Sequence, residues 1–193
     1  MKKSPILELY KSNKTVFTAQ EVSLIWQENS KDRFKNKIKY YLDKGDLIRL
    51  RQGIYAKENY NIQEAAAKIY KPSYISFETV LAQAGIIFQY YETIYVASYL
   101  SREILLKDGQ KIIYHKLKNE VLLNPKGLKR KNNITIASKE RAFLDLIYIN
   151  PNYYFDNLSS IDWKLCFDLI KIYQNKNLIK ILKNYKNAYL GKT

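Results

Sequence analysis

The chain has 193 residues, 47% of them hydrophobic, with only 6 glycines and 4 prolines, so it can bury one large core or two small ones and is neither collagen-like nor dominated by linkers. Its 33 Lys and Arg against 18 Asp and Glu give a formal charge of +15. That excess favours a polyanionic partner, nucleic acid first, although a composition rich in Lys, Asn, Ile and Tyr, as AT-rich coding sequence produces, raises it by itself. The single cysteine, Cys166, excludes an internal disulfide framework and a multi-cysteine zinc site and suits a reducing compartment, the cytoplasm. No signal-length apolar run follows the basic start, and none reaches about 18 residues, so no membrane insertion is expected.

In chain order, Pro5 to Tyr10 reads as a short helix with Ile6, Leu7 and Leu9 available to pack. A second helix follows in TVFTAQEVSLIW, where Thr18 and Glu21 have the spacing of a capping box and Val22, Ile25 and Trp26 share a face. Ser30 caps a third helix running to about Lys44, with an apolar stripe of Phe34, Ile38, Tyr41 and Leu42. Lys31, Arg33, Lys35, Asn36, Lys37 and Lys39 lie off that stripe, so a helix held by its apolar side presents cations and an amide. Gly45 ends it, and Leu47–Leu50 and Ile54–Ala56 read as a hairpin around the turn Arg51-Gln52-Gly53.

Helix, helix, basic helix and hairpin is the order of a winged helix-turn-helix, with eight basic and three acidic residues between Ser30 and Arg51. In that reading the third helix enters the major groove, with Asn36 facing adenine or Arg33 facing guanine, while the lysines and the wing residues Arg49, Arg51 and Gln52 contact phosphates or the minor groove. The bland alternative is a Lys-rich surface helix in a protein-interaction module.

Beyond residue 61, IQEAAAKIY reads as a helix, Ser76 as the N-cap of a helix ending at Gly85, and Thr93–Tyr99 and Lys111–Leu117 as a hairpin-like pair of strands with Asp108-Gly109 in the connection. Asn133–Ala137 adds a short strand, and Ser138 caps a helix with Phe143, Leu144, Ile147 and Tyr148 inward. Two helices, about Asp162–Tyr173 and Lys176–Tyr189, close the chain. A second basic cluster spans Lys126, Lys129, Arg130, Lys131, Lys139 and Arg141, either a solvated loop or a further contact to DNA or RNA.

Catalytic signals are weak. His115 stands alone in a strand and Cys166 sits in an apolar helical pattern, so both read as structural. The glycines form no phosphate-cradling loop, and carboxylate pairs such as Glu140 with Asp145 or Asp156 with Asp162 lack a motif joining them. No enzyme activity, cofactor or metal is expected.

Three blocks in order, LIRLRQGIYA, KPSYISFETVLAQAGII and IASKERAFLDLIYI, resemble signature segments of the AbiEi family, antitoxins of type IV toxin-antitoxin systems that act in abortive phage infection. The third block carries Lys139-Glu140-Arg141 where the family has a glutamate-lysine pair, and after Ile149 only helical character matches. The resemblance implies an N-terminal winged helix that represses its own operon by binding inverted repeats in double-stranded DNA, and a C-terminal domain needed for antitoxicity. It further implies a nucleotidyltransferase-like toxin as functional partner, without a stable complex. The expected architecture is α+β: a winged helix-turn-helix over residues 1–60 and a mixed α/β domain over 61–193 ending in helices. The alternatives are a transcription factor whose second domain senses a ligand or dimerises, and a metal-dependent nuclease or RNA-modifying enzyme.

Overall fold

The computed structural model describes residues 4–89 and 92–191. The chain divides into two compact units, residues 1–69 and 70–193, each mixing helix and strand. No helix among the described residues is long and apolar enough to cross a membrane.

The first unit starts with helix α1 (Pro5–Tyr10), whose proline occupies the first turn, where its missing N–H costs nothing. Strand β1 (Val16–Thr18) leads into α2 (Ala19–Trp26). The capping box closes as expected: Glu21 N donates to the Thr18 hydroxyl at 3.2 Å, and Thr18 N donates to the Glu21 carboxylate at 2.8 Å. Helix α3 (Lys31–Asp43) begins at Ser30, whose hydroxyl accepts from Arg33 N. Strands β2 (Ile48–Arg51) and β3 (Ile54–Ala56) form the hairpin, and α4 (Ile62–Ile69) closes the unit.

β1 adds to this hairpin to make an antiparallel sheet in the order β1-β3-β2. Sequence reading missed β1, since Val16 and Phe17 form too short a run to stand out beside a strong cap. Their side chains are wholly buried. Leu9, Phe17, Val22, Ile38, Tyr41, Leu47 and Tyr55 form the core, with Trp26 packed at a tilt against Phe34 and Tyr41 and donating its Nε1–H to the Pro5 carbonyl at 2.8 Å.

Helix α4, expected in the second domain, belongs to the first unit, so the boundary falls after Ile69 rather than residue 60. The reason is polar. Glu64 accepts from the backbone N and hydroxyl of Thr15 at 2.8 and 2.7 Å, and Lys68 donates to the Val16 carbonyl and, at 2.7 Å, to Glu21. Burial alone would raise the pKa of Glu21, but hydrogen bonds from Lys14, Lys68 and Thr18 N outweigh it and hold the pKa at about 2.

The second unit carries a six-stranded mixed sheet of β4 (Ser73–Ile75), β5 (Ile94–Ser98), β6 (Arg102–Leu105), β7 (Lys111–Lys116), β8 (Leu128–Lys131) and β9 (Ile134–Ala137), in the order β6-β7-β5-β4-β9-β8. Here the expected hairpin is corrected. β5 and β7 are parallel neighbours, and the true hairpin partner of β7 across Asp108-Gly109 is β6, whose exposed side chains lack an alternating apolar signal. Helices α5 (Phe77–Gln83) and α7 (Lys139–Ile149) pack together. The short α6 (Asn119–Leu122), α8 (Trp163–Leu169), a 3-10 turn at Ile170–Tyr173 and α9 (Lys176–Leu190) complete the unit. Phe143, Leu144 and Ile147 are buried as expected, and Tyr148 is half-buried against Tyr173.

Candidate nucleic-acid interface

The core grips α3 through Ile38 and Tyr41, with Phe34 and Leu42 half-buried. At about 100° per residue, Arg33, Asn36, Lys39 and Tyr40 fall on the opposite face, and all four are exposed. Lys35 is exposed on the flank, whereas Lys31, seven residues before Ile38, lies in line with the apolar stripe and is exposed at the first turn of the helix. Among the described residues no ion pair engages Lys31, Arg33, Lys35 or Lys39.

Lys37 behaves differently and is corrected. Its ammonium lies 3.0 Å from the Glu28 carboxylate and 5.6 Å from the centre of the Trp26 ring, so it clamps the α2–α3 connection. That hydrogen bond holds the Glu28 pKa below the usual carboxylate range. Sequence reading also passed over Tyr40, 51% exposed, with the Lys44 ammonium 4.6 Å from its ring centre. Its position four residues after Asn36 was the available signal, since such residues share a helix face.

In the hairpin, Arg49, Arg51 and Gln52 are exposed. Arg49 lies opposite Tyr55 in the β2–β3 register, its guanidinium 5.9 Å from that ring. Gly53 turns the chain with φ +77°, a conformation that side chains disfavour. Its carbonyl accepts from Ala19 N at 2.8 Å, tying the hairpin to the start of α2.

The second basic cluster needs a larger correction. Arg141 is wholly buried in α7. Its Nε lies 3.3 Å from Asp145, and its terminal nitrogens donate to the Tyr74 hydroxyl at 3.0 Å and to the carbonyls of Val121 and Lys126 at 2.6 and 2.9 Å. Asp145 is just as buried and also accepts from Tyr173, Ser76 and Tyr74 at 2.6, 2.7 and 3.0 Å. Burial opposes the charge on Arg141, but Tyr173, Asp145 and Tyr74 outweigh it and raise its pKa. Ser76 spends its hydroxyl on Asp145, so it starts α5 without a side-chain cap. Lys139 is half-buried, 3.8 Å from the buried Glu140. Lys126, Lys129, Arg130 and Lys131 remain exposed.

The other titratable candidates have structural partners. Asp156 accepts from Phe88 N at 2.8 Å, Asp162 caps α8 through Leu165 N, and Glu140 accepts from Asp162 N. His115 sits between the rings of Phe77 and Tyr95, where burial lowers its pKa. Burial likewise pushes the Cys166 thiol pKa up, which keeps it a thiol rather than a nucleophile. Among the described residues no three His, Cys, Asp or Glu converge in a way that could hold a metal ion.

No family model matches the chain, and no curated protein is significantly similar to it in sequence.

Proposed function

We propose that the chain is a cytoplasmic DNA-binding autoregulator and the antitoxin of an AbiEi-like type IV module, with a winged helix-turn-helix in its first unit. The observation that carries the DNA-binding part is the pose of α3. Its apolar stripe is held in the core while Arg33, Asn36 and Lys39 face outward, and a hairpin with Arg49, Arg51 and Gln52 follows. Side chains on such a helix can read base edges while the hairpin and helix termini fix the register on phosphates.

The antitoxin part rests on the three resembling blocks, and the polar core gives two of them a physical reason to occur together. Tyr74 and Ser76 of the second block hydrogen-bond Asp145 of the third, and Arg141 of the third donates to Tyr74. A binding protein fits better than a nuclease, because Asp145 already serves four donors in the core and Asp156 and Asp162 hold backbone amides. Supplying the protein should silence a reporter driven by its own upstream DNA, and co-expressing it with a nucleotidyltransferase-like gene from the same operon should restore growth. Silencing without rescue would leave a repressor that is not an antitoxin.

One observation favours a second reading, a transcription factor that senses a ligand. A cavity of about 340 Å³ in the second unit is lined by Tyr153, Tyr154, Leu158, Tyr185 and Tyr189 with Asp156 at its side, within the size range of small-molecule sites. An operator affinity that shifts when a small aromatic amine is added would support that reading.

A further inference from the structure

The β8–β9 hairpin is an edge ribbon of a kind that DNA-binding proteins use, and it belongs to neither α3 nor the β2–β3 wing. β8 is the last strand of its sheet and, among the described residues, pairs only with β9, in the register Leu128 with Ala137 through Lys131 with Ile134. Asn132 and Asn133 join the strands, both with positive φ, 47° and 65°, as a tight two-residue hairpin turn requires. Lys129, Arg130 and Lys131 are all exposed on β8, as are both asparagines. No ion pair engages these three cations among the described residues.

The buried core mounts this ribbon firmly. Arg141 holds the carbonyls of Val121 and Lys126, both in the chain that leads into β8. Gly127, φ +74°, passes so close that an added Cβ would lie 3.0 Å from the Arg141 Cβ and 3.2 Å from Leu169. Its carbonyl accepts from Ser138 N at 2.7 Å, fixing the base of the hairpin. A ribbon whose main chain is fixed at its base loses little backbone entropy on binding.

We propose that the β8–β9 hairpin is a second contact to double-stranded DNA, made through backbone phosphates by Lys129, Arg130 and Lys131. Two observations favour a duplex over a single strand. The major groove admits a two-stranded ribbon, and Leu128–Ala137 contains no aromatic side chain on which an unpaired base could stack. The contact is sequence-independent and does not rest on the reading of α3.

The test uses the full chain, a labelled duplex of scrambled sequence and a labelled single-stranded RNA, titrated over a range of salt. Lys129→Ala, Arg130→Ala and Lys131→Ala together should weaken duplex binding and reduce the slope of log K against log salt by about 0.9 for each phosphate no longer neutralised, so between roughly 1 and 3. The effect should persist in a background carrying Lys35→Ala and Arg51→Ala. An unchanged duplex slope overturns the proposal, and if it comes with self-association, the cations guard an open strand edge instead. Weakening confined to the RNA overturns it too. Failure here while the Lys35 and Arg51 changes still weaken binding leaves the first-unit reading intact, and the opposite pattern overturns that reading instead. Because all three side chains are exposed, an unaltered thermal melt confirms that the variant is folded, and single Lys→Gln changes at 129 and 131 provide the same reading should the triple variant melt early.

Discussion

Asn36 and Lys37 are neighbours in the sequence and do opposite work. Asn36 points away from the core, whereas Lys37 is engaged by Glu28 and lies against Trp26. Replacing Asn36 with Ala should therefore relax sequence preference with little change in stability, because a bidentate amide contact carries discrimination rather than bulk affinity. Lys35→Ala should weaken binding to every duplex and lower the salt slope by about 0.9. Lys37→Ala should lower the melting temperature and leave that slope unaltered. A slope change in the Lys37 variant would return it to the proposed DNA-facing residues. Deep in the second unit, Asp145→Ala leaves Arg141 charged and without its carboxylate, and chemical denaturation should register a loss of about 3–5 kcal/mol. A loss below about 1 kcal/mol would mean that the four donors around Asp145 find other partners.

Helices with a cap and a stripe are legible in the sequence, because both signals are local. Thr18 with Glu21, Ser30 and Ser138 mark three starts, and the apolar stripe of α3 can be read residue by residue. Thr18→Ala should cost about 1 kcal/mol, as loss of an N-cap does, measured by denaturant unfolding. No loss would mean that the backbone N–H of residue 18, still donating to Glu21, keeps the turn closed without the hydroxyl. What the sequence does not supply is long-range. Strand order is set by pairings such as β4 with β9, distant in the chain, so β5 and β7 look like a hairpin when they are parallel neighbours. Arg141 reads as one of a basic cluster, and Asp145 as a carboxylate with no motif, because nothing local announces that Tyr74, Ser76 and Tyr173 will surround them. Of the proposed DNA-facing residues, Lys37 differs because nothing in the spacing announces that Glu28 and Trp26, although close in the chain, will lie against it.

At the scale of the molecule, the charge of +15 is distributed over two units that each carry a basic hairpin, and the acid stability of the first unit draws on its depressed carboxylates, Glu21 above all and Glu28 beside it. Glu21 titrates at about 2 instead of 4.5. A carboxylate depressed by folding adds stability that is fully present above its unfolded value, and this is lost as pH falls through the folded one. Thermal melts should therefore decline between pH 4.5 and about 2, and Glu21→Gln should flatten that decline. An identical acid limb in the variant would assign the loss to other groups. The central claim, that the first unit reads DNA through α3 and the β2–β3 hairpin, is tested most directly by titrating the protein against the DNA upstream of its own gene and against a scrambled duplex at two salt concentrations. The account predicts preference for the upstream DNA that survives the higher salt and is relaxed with Asn36→Ala. Equal, salt-sensitive binding to both duplexes, or none to either, would contradict it.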